Sequence, residues 1–235
     1  MKLIEKAWVD LRAFDYWPEI GEATLETLTM TGCALLFTVI IGFVLGTLLF
    51  LTSPAHRSSR PAYRRVQIWA YRVLSFAINL VRSIPFLILL ILLIPGTRAL
   101  VGTSLGTRGA IPPLVIASAP FFARLVESVL REVEHGVLET CRAIGATTRQ
   151  TVCWALLPEA SAPLLAAITV TAIALIGYSA MAGVIGGGGL GDLAVRYGYQ
   201  RFDTQVMIVT VAVLVLIVQI VQWGGDRLVA RLAHR

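Results

Sequence analysis

The sequence predicts an all-α integral membrane protein with five transmembrane helices, and three observations predict it. Over 235 residues the mean hydropathy is +0.77, with 57% hydrophobic and only 14% charged positions, outside the mix of soluble domains. Five stretches, 24–51, 74–94, 110–130, 163–184 and 206–223, supply the roughly 20 apolar residues that a spanning helix needs once some interruption is allowed. These runs are too long and continuous for barrel strands, and helices satisfy their own backbone in lipid. The chain reads as one domain over 1–235, with no tandem repeat.

Taken in order, the first twenty residues mix Lys2, Lys6 and Arg12 with Glu5, Asp10, Asp15 and Glu19, and so lack the apolar core of a cleavable signal peptide. Ile4, Trp8 and Leu11 recur at helical spacing, which reads as a short interfacial helix with Trp8 and Trp17 at headgroup level. In the first span Gly42 and Gly46 form a GxxxG. That spacing serves close packing within one subunit or a dimer seam. In the second, Arg82 stands beside Asn79 and just before Pro85. It either snorkels to the headgroups or faces a polar cavity. In the third, Arg124 and Glu127 can pair on one helix face. The fourth carries Thr169, Thr171, Tyr178, Ser179 and Met181, whose polar groups either bond within the bundle or line a pathway.

Arginine sets the orientation. Arg57, Arg60, Arg64, Arg65 and Arg72 follow the first span, Arg131, Arg142 and Arg149 the third, and Arg227, Arg231 and Arg235 the last. Those three segments fall on one side, expected to be cytoplasmic, with the N-terminus outside and the C-terminus inside. The net charge of +6 thus belongs to membrane topology. No continuous basic patch points to nucleic acid.

Reaction chemistry finds little support. Cys33, Cys141 and Cys153 are odd in number and lack metal spacing, and His56, His135 and His234 lie far apart. No metal site and no disulfide framework is expected. Gly186, Gly188 and Gly191 spell a formal GxGxxG, but a membrane span precedes it, so a broken or ended span is the better reading. The only lysines are Lys2 and Lys6, so a Walker A loop is absent. GYSAM around Ser179 lacks the full nucleophile motif, and no predicted span holds a histidine to act as base. No catalytic residue and no cofactor on this chain is expected.

A polar segment, about 131–160, interrupts the apolar pattern. Helix-favouring residues run from 131 to 144, Gly145 fits the left-handed position beyond them, and Arg142 complements the negative helix end. Thr147 followed by Gln150 is a capping-box signal. A second helix over 149–157 is expected, lined on one side by Val152, Ala155 and Leu156 and stopped by Pro158.

Glu139, Gly145, Leu157 and Pro158 resemble the cytoplasmic motif of ABC importer permeases, with Thr140 and Cys141 where two alanines are usual and Ala155 where a larger aliphatic is. VRSIPFLILL, IPGTRALVGTSLG, APFFARLVE and GYSAMAGVIGGGGLGDLAVRYGYQRFD, in that order, resemble the methionine-import permeases. The arginine and proline of RSIPF also resemble polar amino-acid permeases. The resemblance implies a type I ABC importer permease fold in the bacterial inner membrane. Two copies would form the path, each held by a cytoplasmic ATPase subunit that carries ATP and Mg, and a periplasmic or lipid-anchored binding protein would deliver methionine. It implies ATPase coupling at Glu139, Arg142, Ala143, Gly145, Ala146, Thr147, Leu157 and Pro158, a path at Arg82, Tyr178, Ser179 and Met181, and an outer gate at Gly186, Gly188 and Gly191. The alternatives are a permease for another polar amino acid and an ion-coupled secondary transporter, although the latter usually shows inverted repeats and midplane carboxylates.

Overall fold

The computed structural model describes residues 15–53 and 61–233, all helices and connections with no strand among them. The interfacial helix expected near Trp8, and Arg57, Arg60 and Arg235, lie outside the described residues. The first helix, α1, is Trp17–Thr52, longer at its start than the apolar run. Glu19 sits in its first turn, where a carboxylate is favoured by the helix dipole.

The second span, expected over 74–94, is interrupted at Ile84 and Pro85. The chain forms α2, Pro61–Ser83, and α3, Phe86–Leu92. Pro85 offers no N–H and disfavours helical backbone at Ile84. Pro85 instead takes an extended ψ of 136° as the N-cap of α3. Then follow α4, Ile94–Val101, closed by Gly102 at φ 80°, and α5, Gly106–Glu132. Next come α6, His135–Ala143; α7, Thr148–Gln150; a π-helical turn, Thr151–Leu156; and α8, Leu157–Glu159. The last elements are α9, Ser161–Gly183; α10, Gly189–Leu193; a second π-helical turn, Ala194–Tyr199; and α11, Thr204–Ala233. Among the described residues four helices, α1, α5, α9 and α11, are long and apolar enough to cross a membrane, and α2 with α3 makes a fifth if the interrupted pair is one span.

The chain groups into two compact units. One comprises Met1–Leu36, Pro85–Val115 and Ala172–Val221, the other Phe37–Ile84, Ile116–Thr171 and Gln222–Arg235. The core of the first gathers Ile20, Ala23, Ile176, Leu190, Leu193 and Val206. That of the second gathers Phe50, Phe122, Val126, Leu130, Leu156 and Leu164. Within the second unit a Cβ on Gly42 would lie 2.8 Å from the Ala119 carbonyl oxygen, and one on Gly46 would lie 2.6 Å from Cβ of Val126. The GxxxG therefore packs α1 on α5 inside the chain.

Candidate functional site

The polar segment folds as an elbow. α6 ends at Ala143, Gly145 takes φ 72°, and the Ala146 N–H donates to the Cys141 carbonyl at 2.9 Å. This six-to-one bond is a Schellman closure, satisfying a carbonyl that the helix end leaves free. The next helix opens on the expected capping box: Gln150 N–H donates to Thr147 Oγ1 at 3.3 Å, and Thr147 N–H to Gln150 Oε1 at 2.8 Å. The bend is thus closed on both sides by hydrogen bonds from within five residues.

Two features differ from expectation. The first helix of the elbow is not continuous from residue 131, because α5 stops at Glu132 and the chain turns at Val133, which is buried in the core. Nor does Pro158 end the second helix, since it lies inside α8 after a π-helical turn in which Leu157 N–H donates to the Val152 carbonyl. An α-helix would bring the Pro158 ring against the Trp154 carbonyl, and the wider turn gives that contact room. The turn also puts Thr151 and Leu156 on the buried side, five residues apart.

Leu138, Leu156, Ala160 and Leu164 join Phe122, Val126 and Leu130 in one apolar cluster, with Val137, Val152 and Leu157 packed beside it. The elbow is thereby fastened to α5 and α9. Glu139, Ala143, Gly145, Thr147 and Pro158 are exposed, while Ala146 and Leu157 are half-buried. The backbone of Arg142 lies in the last turn of α6. Thr140 donates its hydroxyl to the Gly136 carbonyl at 2.8 Å, so its departure from alanine is absorbed within the helix. Sequence reasoning missed the elbow's two large exposed apolar side chains, Ile144 at 75% and Trp154 at 76%. Large apolar residues on a polar projection are the signal that was there to find.

The glycine-rich turn after α9 is built differently. Gly186, Gly188 and Gly189 all have positive φ, at 81°, 77° and 77°, where glycine is least strained. Glu26 Oε2 accepts from Gly189 N–H at 2.7 Å, and Thr27 Oγ1 accepts from Leu190 N–H at 2.8 Å. Two donors at the start of α10 are thus capped by α1, a pairing the sequence did not announce. Gly186 also accepts from Gly106 N–H at 2.8 Å. At Gly191 a Cβ would sit 2.7 Å from the Ala180 carbonyl carbon, so α10 lies directly on α9.

The remaining expected residues are placed individually. Tyr178 is half-buried and stacks on Phe86, with ring centroids 4.7 Å apart. Ser179 is buried and donates to the Ile176 carbonyl at 2.7 Å, and Met181 is exposed. Arg82 is exposed near the end of α2.

Long apolar helices joined through a capped elbow define a multi-pass membrane protein. The chain belongs to the family of binding-protein-dependent transport system inner membrane components, which matches residues 58–234. It is similar to the methionine import system permease protein MetP of Bacillus subtilis, 49% identical over 88% of this chain and 90% of that protein. It is 47% identical to the D-methionine transport system permease protein MetI of Escherichia coli, over 67% of this chain and 70% of that one. Among solved structures, a chain of the inward-facing MetNI methionine ABC transporter superposes with a TM-score of 0.83 at 44% identity, covering 88% of this chain and 93% of that one. An amino acid ABC transporter solved with histidines matches at TM-score 0.74 and 20% identity, a likeness of fold alone.

Proposed function

We propose that this chain is the membrane-spanning subunit of an ATP-driven methionine importer, a single permease domain over 1–235. The observation that carries the reading is its likeness, over 88% of its length, to a permease named for methionine import. In this reading two copies surround a path, and each elbow is held by one of two cytoplasmic ATPase subunits that carry ATP and Mg. Glu139, Arg142, Ala143, Gly145, Ala146, Thr147, Leu157 and Pro158 form the held surface, with Ile144 and Trp154 as its apolar anchors. Closure of the ATPase pair displaces the elbow. Its packed core carries α5 and α9 along, because close-packed interiors shift as bodies. A periplasmic or lipid-anchored binding protein delivers substrate outside. Gly186, Gly188 and Gly191 form the outer gate, and Arg82, Tyr178, Ser179 and Met181 line the path. The N-terminus is outside and the C-terminus cytoplasmic.

The test is uptake by vesicles reconstituted with all partners, comparing labelled methionine with histidine and glutamine. ATP-dependent methionine uptake is expected. Preference for histidine or glutamine would overturn the substrate, and gradient-driven uptake by the chain alone would overturn the importer.

A further inference from the structure

A polar seam joins α2 to α5, centred on a carboxylate that none of the expected roles uses. Glu127 has a side chain only 4% exposed and uses both oxygens: Arg124 donates to Oε2 at 2.7 Å and Arg131 to Oε1 at 2.6 Å. The same two arginines reach across to α2. Arg124 donates to the Ser75 carbonyl at 3.2 Å, to Asn79 Oδ1 at 3.0 Å and to the Ser75 hydroxyl. Arg131 donates to the Tyr71 hydroxyl at 3.0 Å, and its cation lies 6.0 Å from that ring centre. Tyr71, Ser75 and Asn79 recur every four residues, so they form one stripe of α2 facing one stripe of α5.

Two cations held by one carboxylate make Glu127 the element that orients the seam. Without it the arginines repel each other and lose the geometry that aims them at α2. The apolar packing alongside is small, with Leu49, Ile78 and Ala123 buried and Leu45 and Leu74 beside them. Elsewhere on α2, Val66, Trp69, Val73, Phe76 and Leu80 are exposed. Arg131 lies in the last turn of α5, directly before the elbow. Motion passing from the elbow along the chain into α5 therefore meets the seam within the first turn it enters.

Resting on the importer reading, we infer that Glu127 is a positioning residue that makes α2 travel with α5 when the elbow moves. It touches neither substrate nor ATPase and acts through Arg124 and Arg131. The test uses the full reconstituted complex with Glu127→Gln, Glu127→Asp and the double variant Ser75→Ala with Asn79→Ala. Three quantities are read: ATPase retained on the permease, ATP hydrolysed, and methionine imported per ATP. Glu127→Gln should keep assembly and hydrolysis within about twofold while import per ATP falls about tenfold, the scale of an ordinary coupling energy. Glu127→Asp should recover at least about a third of it, and the α2 double variant should lower it about threefold. Unchanged import per ATP in Glu127→Gln would overturn the inference alone. So would a parallel fall of assembly, hydrolysis and import that Asp does not rescue, which is the mark of a purely structural residue. Absence of ATP-dependent methionine import by the unsubstituted complex would overturn the importer reading instead, and the inference with it.

Discussion

The elbow between α5 and α9 and the glycine turn between α9 and α11 both interrupt apolar helices, but they are stitched at different ranges. The elbow closes its backbone over three to five residues, through Thr147 with Gln150 and Ala146 with Cys141. The glycine turn borrows its acceptors from Glu26 and Thr27, 163 positions away. A locally stitched bend keeps its shape while it moves. A remotely stitched one keeps its shape only while α1 stays against it, so the first suits a handle and the second a corner whose opening and closing follow α1.

The largest expected effect comes from breaking the corner. Gly191→Ala places a Cβ 2.7 Å from the Ala180 carbonyl carbon, an overlap with backbone that no rotamer relieves, and should cost about 3 kcal/mol or more. Thermal unfolding in detergent would show it. Next comes the remote stitch itself. Glu26→Ala removes the acceptor for Gly189 N–H and should cost about 2 kcal/mol, whereas Glu26→Gln keeps an acceptor oxygen and should cost less than about 1. If the two variants unfold alike, the hydrogen bond is not what holds the turn.

The elbow should yield smaller changes that appear in partner binding. Gly145 has φ 72°, yet a Cβ there would meet nothing within 4 Å. Gly145→Ala therefore carries only left-handed strain, about 1 to 2 kcal/mol. ATPase retention in a pull-down should fall about fivefold to thirtyfold, with a smaller drop in melting temperature than Gly191→Ala gives. Thr147→Ala removes one half of the capping box and should cost about 1 kcal/mol, or about fivefold in retention. A melting-temperature drop as large as that of Gly191→Ala would show that the elbow is a corner too.

The same difference of range decided what could be read in advance. Thr147, Gln150 and Gly145 revealed caps and a bend because each signal lies within one turn of its partner. Apolar runs likewise marked the spans, since hydropathy is a local property. Glu26 and Thr27 looked like ordinary residues at the start of a helix, and only the fold brings Gly189 and Leu190 to them. The Arg124–Glu127 pair was visible at helical spacing, but Arg131 joining it and the reach to Tyr71, Ser75 and Asn79 required α2 in place. Pro158 misled because a proline reads as a stop, and the π-helical turn that accommodates it leaves no mark in composition. Gly42 and Gly46 announced a close approach without saying to which helix.

The central claim, that the elbow and not the glycine turn meets the ATPase, is tested most directly by site-specific photocrosslinking. A photoreactive residue replaces Trp154, 76% exposed on the elbow, or Val184, 53% exposed where α9 enters the glycine turn. Irradiation of the assembled complex should attach the ATPase subunit at position 154 and leave it free at 184. Attachment at 184, or none at 154 in a complex that hydrolyses ATP, would contradict the account.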